Sequence, residues 1–553
     1  MILKQVTRLI LVVCLLGCSE KLQAGVNLKN GNFYISYNDC INPSRSGSLE
    51  IVRTYNSKAY ERGWFGFGWG SDFETYLVIN PDGVVIHENG SGALTRFIPA
   101  EPNPGQVRDT VDQLVAVARQ RGTAESPTEV SVFADSMRTN VELRIAYYRR
   151  YKRDGWIKPI HLPSGTVLHS AVRGQQTVER IPEGYVRTFQ SGRTERFDLD
   201  GRLIRITDDK DGTFYEVDYD SAGNVAAISD YFGNHIRFMS NSDGLVTKLV
   251  DAKGHTAEYE YRGLDLVRSR DTAGNVFEYD YDSNHNLTQI TYTDESTFKI
   301  RYDSSQFVDG ITYRNGDELD YTYDHDPDDP SHHYWTTVKS TGFGGRVRTN
   351  RYEYWIKSRE DGSNFTQRIL TNIDGLVTDT LYDGKSSQPI EISRGGRKTT
   401  FEYNAKGLLT RKQTPHGVIA IQYHPVHAKI TEVTESDTDG KRVKSTTFEY
   451  SETGNLLHAE NSKGQTVDLT YNSAGHIIRM KSEVETVLFT NNDVGKPTRI
   501  EIEGVGSINV EYDDFGEITK TESEDGEKIG QRVSAAFERM KRIIKPAGVD
   551  LNF

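Results

Sequence analysis

The chain has 553 residues, with 66 Lys and Arg against 79 Asp and Glu, a net charge of −13, 36% hydrophobic residues and a mean hydropathy of −0.60. So acidic a balance argues against the basic face that releases phosphate counterions, and DNA or RNA is not expected as a partner. The 30 tyrosines outnumber the 22 phenylalanines, and the 49 glycines outnumber the 16 prolines, a profile of half-buried pleated sheet whose tyrosine hydroxyls reach water, joined by many tight turns.

Residues 1–17 read as an export signal: Lys4 and Arg8 precede the apolar run Leu9 to Leu16, which is too short to span a bilayer. Its end, Leu15-Leu16-Gly17-Cys18, resembles the lipobox of bacterial lipoproteins. That resemblance implies acylation of Cys18 and, with Ser19 rather than Asp in the next place, an outer-membrane lipoprotein touching the membrane only through its lipid. Cleavage after Ala24 is the alternative and leaves a periplasmic or secreted chain. Cys14 falls in the signal, so Cys40 is left without a disulfide partner or a thiolate metal site. Beside the strand-like run Phe33 to Tyr37, it reads as a small buried side chain.

Residues 25–106 carry short strands and glycine turns: Gly31-Asn32-Phe33-Tyr34-Ile35-Ser36-Tyr37, then Leu49 to Ser57, then Gly63-Trp64-Phe65-Gly66-Phe67-Gly68-Trp69. The ordered motifs GNFYISYND, LEIVRTYNS and GWFGFGWGSDFETYL resemble the N-terminal module of RHS (YD-repeat) proteins. Between 107 and 153 the apolar spacing shifts to about 3.6, which predicts two amphipathic helices joined by Gly122 to Pro127, a helical hairpin inserted into a β chain. The basic run Arg149, Arg150, Lys152 and Arg153 closes the second of them, where cations complement the macrodipole. Residues 154–190 form a β connection.

From 191 to 522 a repeat dominates. Tyr219 and Tyr261 stand 42 residues apart, Tyr281, Tyr302 and Tyr323 follow at 20, 21 and 21, and the series resumes at Tyr382, Tyr403, Tyr423, Tyr450, Tyr471 and Tyr512. A period of this size marks a stacked repeat architecture. The unit is visible in Tyr219-Asp220-Ser221-Ala222-Gly223, in Tyr281-Asp282, Tyr302-Asp303 and Tyr403 to Gly407, and in Tyr471 to Gly475 and Tyr512-Asp513-Asp514-Phe515-Gly516. Tyrosine ends a strand on the core face, Asp or Asn bonds its own backbone to start the turn, and Gly takes the positive φ. These blocks resemble the YD repeat itself. Ser240 stands where a tyrosine is expected, and insertions near 325–351 and 424–450 predict excursions suited to a partner.

Candidate chemistry is sparse. Asp324, Asp326 and Asp328 imitate the start of a calcium loop, but Asp329 and Trp335 occupy the places that need glycine and a bidentate acid. The pair His424 and His427 is split by Pro425, which opposes a shared ligand geometry. No nucleophile elbow, zinc-helix or phosphate-loop motif is present. The expectation is therefore no enzyme, cofactor or metal.

The fold expected is mainly β: stacked antiparallel hairpins forming an RHS-type curled sheet or open shell, with an N-terminal β module, the helical insertion, and a helix and tail at 523–553. About fifteen units at roughly 21 residues each favour an open trough or a shell completed by a partner. The resemblance implies an exported envelope or surface scaffold binding a protein partner or a glycan. The alternative is an incomplete polymorphic-toxin shell whose toxin is absent or supplied in trans. RHS toxins commonly end in a self-cleaving core segment with an Asp-Pro-x-Gly type motif, which is not found here before Phe553.

Overall fold

A computed structural model describes residues 23–544 except 45–46, 60–61, 102–103, 171, 173, 209–212, 343, 442, 514–516 and 524–526. Cys18 and Gly516 lie outside the described residues.

Thirty-six strands form one antiparallel ladder that runs in sequence order from Thr75–Asn80 to Ile518–Ser523. Its first eight strands close on themselves. Tyr76 bridges to Arg202, and Leu77 N–H donates to the Gly201 carbonyl at 2.7 Å, so Thr75–Asn80 meets the strand Leu203–Thr207. The interior of this small barrel is Leu77, Val84, Ile86, Phe97, Leu168, Val178, Tyr185, Phe197 and Leu203. The register carries the same face forward through Ile206 and Tyr215 into Val217 and Tyr219. The tyrosine face of the repeats is thus the inner face of the curl. At the far end Glu517 comes beside an early repeat, its Oε2 3.2 Å from Lys253 Nζ. Short hairpins with a bulge in most units curl the sheet enough to bring the last repeat beside an early one.

Two elements of the chain cover parts of the inner face. The sheet Gln23–Asn27, Asn32–Ser44, Gly47–Asn56 and Trp69–Ser71 lays Phe33, Ile35, Tyr37, Ile51, Tyr55 and Trp69 on the repeat strands from Phe214 to His325. Alternation dictates this, because side chains at i and i+2 share one face of a strand. The C-terminal helix Glu527–Ile544 lays Val533, Ala536, Phe537, Met540 and Ile543 on the last third of the ladder, and Arg539 pairs bidentately with Glu485 at 2.9 and 2.7 Å.

The insertion contains three helices, not two: α1 (Pro104–Gln120), α2 (Pro127–Thr139) and α3 (Val141–Arg153). Asn140 takes an extended conformation (φ −116°, ψ 102°), ends α2, and caps α3 by accepting from Leu143 N–H, so the second expected helix is split there. Ser126 and Glu129 form the capping box of α2. The insertion ties the small barrel to the wall: Arg144 pairs with Asp82, and Val141 N–H donates to the Asp361 carbonyl at 3.0 Å.

Candidate functional site

The repeat tyrosines do more than fill space. Tyr219, Tyr261, Tyr281, Tyr302, Tyr323, Tyr403, Tyr423, Tyr450, Tyr471 and Tyr512 each donate their hydroxyl to a backbone carbonyl at 2.6–3.1 Å. The acceptors are Leu203, Val246, Leu266, Leu287, Val308, Pro389, Leu409, Ile430, Leu456 and Pro497, each near the start of a strand 14 to 20 residues earlier. The hydroxyls therefore clasp the preceding hairpin. Burial raises these phenols, Tyr471 to about 12. Asn491 fills the same place with its Nδ2 on the Ile477 carbonyl at 2.9 Å. Ser240, where the series lacks a tyrosine, has a buried hydroxyl with no hydrogen-bond partner among the described residues, and Trp64 of the N-terminal module packs on Phe238 of the strand that holds Ser240.

The turn chemistry follows each clasp. Asp220 accepts from Ala222 and Asn224 N–H, Asp282 from Asn284 and Asn286, Asp303 from Ser305 and Phe307, and Asp513 from Glu517. Gly223, Gly407 and Gly475 take φ of 85°, 71° and 81°. His285 and Gln306 hold the corresponding position at φ 65° and 61°, left-handed geometry that a side chain tolerates at a cost.

The N-terminal sheet is bolted to the wall by a buried ion pair. Arg53 donates to Asp39 at 2.7 and 3.1 Å, to Ser269 Oγ at 3.1 Å and to Tyr279 Oη at 3.0 Å, while Tyr259 donates to Asp39 at 2.8 Å. The Arg53 guanidinium also lies 4.2 Å from the Trp69 ring centre. Cys40 sits in the same core, and burial pushes its thiol up to about 12.

Between the two covered stretches, the inner face of strands Arg346–Ser358 to Leu409–Thr414 is open and half-buried. Its floor includes Tyr352, Tyr354, Ile369, Tyr382, Phe401 and Tyr403, with Thr371, Thr378, Thr380 and Thr399 among them. The register places Arg346, Arg348, Arg394, Arg397 and Lys412 on this face, toward the strand ends opposite the tyrosine turns. No carboxylate from these strands shares it. Only Arg348 among the five has an ion pair in the described residues, with Asp374 at 3.4 Å. On a chain of net charge −13, this is a local concentration of positive potential.

The acidic loop Asp324 to His333 closes a long hairpin. His333 is gripped from both sides, Nδ1 at 3.0 Å from Asp326 and Nε2 at 2.7 Å from Glu353, and stacks on Trp355 at 4.6 Å. His424 and His427 stack on each other at 4.7 Å. Among the described residues no group of three His, Cys, Asp or Glu side chains has metal-binding geometry.

A curled ladder of clasped hairpins, with its tyrosine face inward and a sheet seated on that face, defines a β-shell repeat scaffold. Residues 211–445 match the Teneurin YD-shell family and residues 23–97 match a domain of unknown function (DUF6531). The chain is an RHS/YD-repeat protein. No curated protein matches the sequence. Among solved structures, it is similar to a chain of the TcdB2-TccC3-Cdc42 crystal structure, with 11% identity over 68% of this chain and 25% of that one and a TM-score of 0.32. A chain of the TcdB2-TccC3 structure matches at 10% identity over 92% of this chain and 33% of that one, with a TM-score of 0.31. A porin-like protein from Bacteroides uniformis matches at 11% identity over 45% of this chain and 92% of that one, with a TM-score of 0.15. The chain spans a quarter to a third of the length of the TcdB2-TccC3 chains.

Proposed function

We propose that this chain is a non-enzymatic, exported envelope scaffold that holds an acidic partner, a protein segment or a glycan, against the open stretch of its inner wall. The observation that carries the reading is the row of Arg346, Arg348, Arg394, Arg397 and Lys412 on a half-buried Tyr and Thr floor left uncovered between the N-terminal sheet and the C-terminal helix. Every other stretch of repeat wall carrying a hydrophobic core has its own cover. The row spans five strand steps from Arg348 to Lys412, about 24 Å at roughly 4.8 Å per step, the length of an extended segment of several residues or sugars.

Full-length protein probed with matched acidic and neutral polysaccharides and with poly-glutamate gives the test. The expected result is salt-sensitive binding of an acidic probe that is lost in Arg394→Glu/Arg397→Glu. Binding unchanged in that variant, or no acidic probe bound, overturns the reading. The envelope location rests on the signal and Cys18, since no described helix is long and apolar enough to cross a membrane. Metabolic palmitate labelling lost in Cys18→Ala is the outcome expected of a lipoprotein.

A further inference from the structure

The face of the N-terminal sheet that looks away from the wall is polar. Alternation along Asn32–Ser44 and Gly47–Asn56 sends Phe33, Ile35, Arg53 and Tyr55 to the core, and Tyr34, Ser36, Val52, Thr54 and Asn56 to the other side. With Asn27, Asn32, Asp72, Gly90 and Ser91, these residues line a cleft of about 530 Å3, within the range of small-ligand sites.

The cleft is built rather than incidental. Two glycines let the loop after strand Gly83–Glu88 lie flush against it: a Cβ at Gly90 would strike the Asp72 carboxylate and backbone, and one at Gly92 would strike the Asn56 amide. Gly92 also holds φ 69°. Ser36 and Thr54 hydroxyls bond to each other at 2.8 Å, which fixes the floor. Asn32 Oδ1 accepts from Ser57 Oγ and Lys58 N–H at 3.1 and 2.9 Å, and Asn27 Oδ1 accepts from Lys29 N–H at 3.0 Å. Both carboxamides are thereby oriented with their NH2 groups unspent. Asn56 is the informative side chain: it is 8% exposed, lines the cleft, and has no side-chain hydrogen bond among the described residues. Its carboxamide is therefore available to donate to and accept from a molecule in the cleft.

The lining selects a chemistry. No Lys, Arg or His is present, so phosphorylated and carboxylated ligands find no counter-charge. Val52 and Tyr34 are the only large apolar side chains in the lining, too few to hold a lipid chain. Asparagine amides and a carboxylate offer adjacent donors and acceptors matching vicinal hydroxyls, and the Tyr34 ring, 39% exposed, offers a flat face to sugar C–H bonds. We infer that this cleft binds a neutral saccharide of one or two pyranose units, separately from the acidic partner of the wall.

Saturation-transfer NMR and calorimetry on the full chain, against neutral hexoses, neutral disaccharides and their uronic-acid counterparts, test it. Saturable binding of a neutral sugar, weakened at least 10-fold in Asn56→Ala and in Tyr34→Ala and unchanged in Arg394→Glu/Arg397→Glu, is expected. Asn56→Ala removes no protein hydrogen bond, and Tyr34→Ala keeps the test valid if the first variant is unstable. Three results would each overturn the inference: no neutral sugar bound, wild-type affinity in both cleft variants, or preference for the uronic acids. Loss of acidic-probe binding in the wall variant with neutral-sugar binding intact separates the two sites.

Discussion

Replacing a repeat tyrosine by phenylalanine removes one oxygen and leaves the ring, so the clasp can be weighed on its own. In Tyr471→Phe the Leu456 carbonyl loses its donor at 2.8 Å. A net hydrogen bond of about 1 kcal/mol, increased because the carbonyl is left unsatisfied in a half-buried place, gives about 1–2 kcal/mol. Tyr281 supports two bonds: it donates to the Leu266 carbonyl at 2.8 Å and accepts from Trp69 Nε1–H at 2.9 Å. Tyr281→Phe therefore orphans a carbonyl and a buried indole, for about 2–4 kcal/mol. Urea unfolding followed by tryptophan fluorescence, with the slope held constant between variants, reads both values. The two sites share no partner, so the double variant is expected to be additive within about 0.5 kcal/mol. Loss of less than about 0.3 kcal/mol in Tyr471→Phe, or equal losses at the two sites, refutes the clasp as a source of stability.

Three further outcomes follow from titratable groups. Cys40, with its thiol raised by burial to about 12, is expected to resist iodoacetamide at pH 8 in the folded protein and to react fully in denaturant; native labelling at the rate of a free thiol contradicts the buried placement. Burial raises Glu74 to about 8 although both its oxygens accept from Trp64 N–H at 3.0 and 3.1 Å. Its folded pKa exceeds the unfolded one, so its contribution is complete below the unfolded pKa and is lost as pH rises through about 8, by roughly 4–5 kcal/mol at most. Glu74→Gln is expected to flatten that part of the pH–stability curve, and an unchanged curve counts against it. For His333, burial acts downward, but the hydrogen bonds to Glu353 and Asp326 prevail and its pKa is raised. Its stabilisation is present below the unfolded histidine value and is lost as pH rises through the raised one. NMR titration of the ring in the wild type is expected to give a midpoint above 6.5, and one below that value removes the grip.

Much of the wall was legible because each repeat writes its turn in side chains. Asp220, Asp282 and Asp303 announce the Asx turn, and Gly223 or Gly407 the left-handed residue, within five positions of the tyrosine. The clasp was not legible, since its acceptor is a backbone carbonyl about 15 residues back, which leaves no mark on residue identity. The split of the second helix turned on Asn140 serving two caps at once, a role that an apolar period passing through the position conceals. The cleft and the cationic row were hidden for another reason. Asn32 and Asn56, or Arg348, Arg394 and Lys412, come together only when a register is known, and one residue of slip moves a side chain to the opposite face.

The clasp also explains where the N-terminal sheet sits. In most repeat units the register shifts at the strand-end residue, normally tyrosine, as between Asp280 and Tyr281 or between Arg301 and Tyr302. That bulge frees the N–H of the residue opposite from the ladder. Where the N-terminal module docks, it takes these groups up: Val246 N–H donates to the Trp64 carbonyl at 2.9 Å, Leu287 N–H to Tyr55 Oη at 2.9 Å, and Val308 N–H to the Gly31 carbonyl at 3.0 Å. Further along the wall the same position is Pro389 and Pro497, which accept from Tyr403 and Tyr512 and have no N–H to satisfy. A repeat with proline there can be clasped but cannot bind the sheet in this manner. Within the open stretch, the repeat that begins at Pro389 is thereby unable to take the sheet up in this way.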